Sequence, residues 1–174
     1  MLIMKRKITT FISFLAILAV VNTEKVNASE KTFGLRIGYN TRTEAPLAGM
    51  FFQYSFGEHF RLSPNLDYYF RHNDVDALSV NCNVHIPFKL LQSGKSALYP
   101  LAGLNYSTWS YHFEGEELTT TNDVTMRHTR VGLNLGAGFE YYASPTLKLS
   151  VEAKATLLKS YSSGTFTASI GYVF

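Results

Sequence analysis

The stretch "RHNDVD" at 71–76 sets His72, Asp74 and Asp76 within five residues, a donor set able to hold a divalent cation or activate a water. A second group is Ser110, His112, His128 and Glu140. Hydrolysis by a nucleophile needs that nucleophile, a base and an orienting acid within mutual hydrogen-bond reach. Ser110 and His112 are neighbours but bring no acid. His128 is followed by Thr129 and Arg130, and Glu140 falls near the other end of its segment. Clusters such as His72–Asp76 are also the ordinary composition of solvated turns. The sequence therefore points to no catalytic, metal or cofactor residue.

The charges that need explaining are Arg36, Arg61, Asp67, Glu140, Lys148, Glu152 and Lys154. Each sits on the polar side of a segment that alternates apolar and polar residues. Eight such segments follow residue 28: Thr32–Asn40, Leu47–Phe56, Phe60–Phe70, Ala77–Phe88, Leu98–Tyr111, Arg130–Tyr142, Thr146–Leu157 and Thr165–Phe174. Successive side chains of a strand point to opposite faces, so a period of two fixes which residues share a face. One face carries residues such as Leu35, Ile37, Leu135 and Val151 and no charge; the other carries Gly, Ser, Asn, Thr and the seven charges. Pro64 falls inside a strand, where it offers no N–H to a ladder, so a local irregularity is expected there.

The first 28 residues have a different character. Lys5-Arg6-Lys7 precedes an apolar run from Ile8 to Val21, and Val26-Asn27-Ala28 supplies a cleavage site. The run is too short to span a bilayer as a helix, which needs ~20 residues. These features predict a secretory signal peptide at 1–28 and a barrel domain at 29–174. The net charge of +3 lies in that leader; residues 29–174 carry twelve basic and twelve acidic residues, which excludes the footprint of a nucleic-acid partner. A single cysteine, Cys82, forbids an internal disulfide. With 13 Phe, 11 Tyr and 12 Gly and no helical periodicity after the leader, the chain reads as all-β: an eight-stranded antiparallel up-and-down transmembrane β-barrel.

Alternation does not say which face looks inward. A soluble, lipocalin-like ligand-binding barrel has the same period with the oily face inside. Small residues and charges of both signs suit a narrow interior better than a water-facing surface. Aromatics gather at both ends of the strands, as a membrane barrel requires: Phe56, Phe60, Phe88, Tyr99, Tyr141, Tyr142 and Phe174 at one, Tyr39, Tyr69, Phe70, Trp109, Tyr111, Tyr161 and Phe166 at the other. This turns the seven charges inward, where burial demands that they pair. Cys82 then faces lipid.

"IGYVF" at 170–174, "YPLAGLNYS" at 99–107 and "GLNLGAGFEYY" at 132–142 resemble the small eight-stranded outer-membrane β-barrels of Gram-negative bacteria, the barrel domain of outer-membrane protein A and its relatives. The resemblance implies export through the secretory pathway, a place in the cell outer membrane, and recognition of Tyr172 and Phe174 by the outer-membrane assembly machinery. It also implies that the last strand pairs with the first. Both termini would be periplasmic, with turns at Gly57–Glu58, Lys89–Ser96 and Ala143–Pro145. The segments 41–46, 71–76, 112–128 and 159–164 would face outward. At that rim Arg42, Arg71, Arg127, Arg130 and Lys159 could meet lipopolysaccharide phosphates. The expected partners are outer-membrane lipid, lipopolysaccharide and the assembly machinery, with the barrel a monomer. The expected role is non-enzymatic: envelope integrity or surface contact. A lipid-modifying enzyme of the same membrane is the alternative. Lipid A deacylases of this compartment place a serine two after the histidine, where this chain has Arg130 after His128.

Overall fold

The structure, a computed structural model, describes residues 30–57, 59–90, 95–113, 124–158 and 162–174. The leader 1–28, Lys159 and Tyr161 lie outside the described residues. Among the described residues nine strands form: β1 Lys31–Asn40, β2 Ala45–Phe56, β3 Phe60–His72, β4 Val75–His85, β5 Phe88–Lys89, β6 Ser96–Phe113, β7 Val124–Ser144, β8 Leu147–Leu158 and β9 Ser163–Val173. All neighbours are antiparallel, in the order β4-β3-β2-β1-β9-β8-β7-β6-β5, and β4 also pairs with β6. That pairing closes the barrel. The short β5 continues the stave of β4 along β6 after Ile86 and Pro87, so the barrel has eight staves.

The break at Ile86–Pro87 corrects the single strand expected over Ala77–Phe88. Proline fixes φ and brings no N–H, and the residue before it is pushed from regular pairing too. Pro64 behaves more gently. It pairs with Cys82 of β4, while the β2–β3 ladder is interrupted between Phe51↔Asn65 and Tyr54↔Leu62 without a change of register.

The strand ends also differ from expectation. The segment 112–128, expected as a loop, is strand at both ends: β6 runs to Phe113 and β7 begins at Val124, paired with each other. Two residues with positive φ, Asn73 and Asp74, make the β3–β4 turn, so 71–76 is mostly strand. In the β1–β2 turn, Asn40 Oδ1 accepts from the backbone N–H of Arg42 and Thr43 at 2.9 and 3.2 Å. The last and first strands pair: Phe174 N–H donates to the Lys31 carbonyl at 2.9 Å, and Lys31 N–H donates to that of Phe174 at 3.1 Å.

The orientation is inside-out relative to a soluble protein. Ile37 is 67% exposed and Val131 68%, whereas Asp67 is 0% and Glu140 1% exposed. Unpaired charge is costly to bury and apolar surface is costly to leave in water. A wall of this polarity belongs in a bilayer with its polar face enclosed, which is how closed barrels satisfy every backbone group in lipid. Cys82 is exposed on that wall.

Not every aromatic joins the lipid face. Phe33, Tyr39, Phe56, Phe60, Phe70, Phe88, Tyr141, Phe166, Tyr172 and Phe174 are exposed there. Tyr69, Tyr99 and Trp109, expected in the belts, are 4%, 2% and 2% exposed and point into the barrel. Tyr142 likewise turns in, where its hydroxyl donates to Glu30. The inward glycines make room for such rings. A Cβ on Gly138 would collide with the Tyr99 ring, and one on Gly34 would collide with the β9 backbone and the Phe51 ring. Gly138→Val should therefore destabilise the folded barrel by about 1–3 kcal/mol, the usual cost of overpacking. Urea titration in lipid vesicles measures it. Stability equal to the parent would show that the Tyr99 ring moves freely.

Candidate functional site

 The seven inward charges come from four strands. Arg36 lies on β1, Arg61 and Asp67 on β3, Glu140 on β7, and Lys148, Glu152 and Lys154 on β8. Period two aims each at the lumen, and the stagger of the staves sorts them into two sets.

The set nearer the strand ends that hold both termini centres on Glu140. Arg61 donates to both of its carboxylate oxygens, at 2.5 and 2.8 Å, in a two-pronged pairing. Lys148 Nζ lies 3.7 Å from Glu140 and 3.6 Å from Glu30, and donates to Gln53 Oε1 at 2.5 Å. Tyr142 donates to Glu30 at 2.7 Å. Two cations thus face two carboxylates. The second set sits mid-barrel. Arg36 is 3.1 Å from Asp67 and 3.3 Å from Glu152, and Lys154 is 3.8 Å from Asp67. Again two cations face two carboxylates. Tyr99 donates to Glu152 at 3.4 Å, and its ring stacks on His85 with centroids 4.5 Å apart.

Each set is formally neutral, counting His85 as uncharged. That matters because an isolated ion costs several kcal/mol to bury, and only close opposite charge with good hydrogen bonding offsets it. Next to the mid-barrel set lies an amide cluster. Asn81 donates to Asn65 at 2.8 Å and to Asp67 at 3.2 Å, while Asn105 and Asn134 both donate to Asn81 at 2.8 Å. Leu47, Tyr69, Ala77 and Trp109 then form an apolar cap towards the end opposite the termini, with the Tyr69 and Trp109 rings stacked 5.8 Å apart. Across from it Asn40 donates to Ser163 and Thr165.

Sequence reasoning missed Glu30 and Gln53; it put His85 and the asparagines on the inward face without their partners. Glu30 precedes the first expected strand. Gln53, like His85 and the asparagines, shares parity with the charges, a signal that marks the face but not the neighbour.

The remaining candidates are dispersed. Arg71 pairs with Asp74 at 3.2 Å, both well exposed. Arg42 lies in the β1–β2 turn, and Arg127 and Arg130 lie within β7 rather than on a loop. Lys159 is outside the described residues. Arg127 and Arg130 have opposite parity and so leave the sheet on opposite faces. Tyr172 and Phe174 are both exposed on the lipid face, with rings stacked 6.2 Å apart.

The hydrolytic candidates are not assembled. His128 and Glu140 lie on one strand, twelve residues and hence ~40 Å apart at ~3.3 Å per residue. The His128 ring meets Tyr111 edge-on at 5.7 Å. Ser110 is on β6, and the side chain of His112 lies outside the described ones. Among the described residues no group of three His, Cys, Asp or Glu could hold a metal.

Comparison with known proteins gives the same architecture. Neisserial surface protein A superimposes with a TM-score of 0.66 at 16% identity, covering 87% of this chain and 100% of that one. The N-terminal barrel domain of Pseudomonas aeruginosa OprF gives 0.60 at 16%, covering 84% and 100%. Ail, the attachment invasion locus protein of Yersinia pestis, gives 0.59 at 14%, covering 84% and 97%. No curated protein matches by sequence. At such identities the likeness shows a shared fold. The model of the outer membrane protein beta-barrel domain, in contrast, matches residues 13–174, nearly the whole sequence. The chain therefore belongs to the outer membrane protein beta-barrel domain family.

Proposed function

We propose that this outer-membrane barrel is a non-enzymatic structural component of the envelope, with its outer hairpin available for surface contact. The observation that carries this reading is the interior: two charge-neutral sets, an amide cluster and an aromatic cap fill the lumen with side chains that bond to one another. A lumen built this way stiffens the wall and offers no obvious bed for a substrate. Export follows from the leader at 1–28, and lipopolysaccharide contacts at Arg42, Arg71, Arg127, Arg130 and Lys159 belong to the same proposal. Monomeric function suits a wall that closes on itself.

Reconstitution in planar bilayers tests the role. The folded barrel, identified by its mobility shift on boiling, should give no stepwise conductance, and its expression should leave the lipid A mass spectrum unchanged. Steady channels or a new lipid A species would overturn the reading.

Assembly gives a separate test. With Tyr172 and Phe174 as the recognition signal, Phe174→Ala should reduce the heat-modifiable band in membrane fractions several-fold, while the purified variant still folds into detergent. Equal membrane levels would remove Phe174 from that role.

A further inference from the structure

The lipid-facing wall is not uniformly bulky. From Phe70 on β3 to Leu98 on β6, by way of β2, β1, β9, β8 and β7, it holds a trough of about 1000 Å³. The register defines its sides. One row of outward side chains runs Pro46, Tyr39, Phe166, Ala153 and Ala137; the next runs Ala48, Ile37, Ala168, Val151 and Phe139. The rows lie two residues apart along each strand, ~6.8 Å. At Ala48, Ala168, Ala153 and Ala137 the floor drops to a methyl group between larger neighbours such as Phe166, which is 58% exposed. Six strand spacings of ~4.8 Å separate the two ends. Barrel strands tilt by ~35–45°, so a row that crosses them at right angles descends ~18 Å over that length. This is close to the ~15 Å that one leaflet contributes to a hydrocarbon core of ~30 Å.

The end of the trough at β2 and β3 adjoins two arginines of the turns. Tyr39 and Pro46 flank the turn that holds Arg42, and Phe70 precedes Arg71. Arg71 pairs with Asp74 at 3.2 Å, both side chains more than half exposed. Such a pair is worth ~0–1 kcal/mol and exchanges readily with another anion. The trough itself offers nothing to a polar ligand. Its backbone is committed to strand ladders. Glu152, the one ionised residue among the described ones that line it, is buried in the lumen with Arg36. A helix, ~10–12 Å across, is wider than the gap between the rows. A second barrel would set a convex wall against a furrow ~6.8 Å wide. A hydrocarbon chain fits, and this wall already lies in lipid.

We propose that this trough seats one acyl chain of a lipopolysaccharide molecule whose phosphates meet Arg42 and Arg71. The chain enters beside Tyr39 and Phe166 and runs obliquely down the wall over Ala168 and Ala153. Apolar contact along the trough and charge-assisted contact at the rim act on one molecule, so each raises the effective concentration of the other. Two arginines at one end suit a headgroup with more than one phosphate, which favours lipopolysaccharide over a phospholipid with a single one. The proposal rests on the reading that these turns lie outside the cell and that their arginines meet lipopolysaccharide.

The test uses the full chain folded in nanodiscs of deuterated phosphatidylglycerol with protonated lipid A, so that only lipid A gives proton signals to the protein. Expected are nuclear Overhauser effects from acyl protons to the methyls of Ala168 and Ala153, several-fold stronger than to that of Ala102, which is exposed on the same wall away from the trough. Ala168→Phe fills the trough with an apolar ring and should lower the lipid A retained in native mass spectrometry about tenfold. Leu104→Phe, outside the trough, should leave it unchanged. Ala153→Leu replaces Ala168→Phe if the latter does not fold, as judged by its mobility on boiling. Equal signals at Ala102, retention unaffected by filling the trough, or retention of phosphatidylglycerol in place of lipid A would overturn the proposal. The reading beneath it is checked separately. Loss of lipid A from the double variant Arg42→Ala, Arg71→Ala, with no effect of Ala168→Phe, would keep the rim contact and refute only the trough. Unchanged retention by that double variant, or protease protection of the β1–β2 turn in intact cells, would refute the rim reading itself.

Discussion

Glu140→Ala lowers the unfolding free energy of the barrel by about 3–5 kcal/mol, the range for breaking a buried ion pair by removing one partner. The expected size follows from what is left behind. Arg61 is 4% and Lys148 1% exposed, and Glu140 contacts both. Without it the nearer set keeps two cations and the single carboxylate of Glu30, which is 3.6 Å from Lys148. Replacing both partners, as Arg61→Met with Glu140→Leu, should cost less than Glu140→Ala alone, because no stranded charge remains. Arg71→Ala is the surface control: an exposed pair such as Arg71–Asp74 contributes ~0–1 kcal/mol. The single tryptophan, Trp109, stacked in the apolar cap, reports unfolding by fluorescence during urea titration in vesicles. A loss below ~1 kcal/mol for Glu140→Ala would mean that water reaches and solvates this set.

Leu135→Arg should cost about 2–4 kcal/mol in a bilayer, the range for a cation on the lipid face near the midplane. Leu135 is 51% exposed and lies between Ala102 and Ala155 on neighbouring staves, so the new side chain has acyl chains around it and no lumen partner. Leu135→Phe at the same place should fold normally, since it changes volume without charge. The pair of variants separates the two barrel orientations sharply. In a water-facing wall the arginine would be the tolerated substitution. Urea midpoints in vesicles decide the matter, and equal stability of Leu135→Arg and the parent would remove Leu135 from the lipid face.

Much of the fold is written in a period of two. Leu35 and Arg36, or Val151 and Glu152, take opposite faces wherever the strand lies, because the pleat admits nothing else. Parity also held the answer for three aromatics assigned to the lipid belts. Tyr69 shares a face with Asp67, Trp109 with Ser107, and Tyr99 with Leu101, all inward in the structure. Aromatic type suggested a membrane boundary, and the local alternation was the better guide.

Strand length was less legible. The β6–β7 hairpin extends to Phe113 and Val124 through residues such as His112, Thr125 and Arg127 that carry no apolar alternation. Beyond the bilayer nothing demands an oily face, so periodicity fades while backbone pairing continues.

What the sequence determined by itself is the set of faces: which side chains share the apolar wall and which share the polar interior, since adjacent residues cannot share a side. What only the tertiary structure decided is who meets whom inside. Arg36 reaches Glu152 across 116 positions of sequence and Arg61 reaches Glu140 across 79. Those meetings depend on the stagger of closed strands around the barrel, a property of the whole ring that no single segment contains.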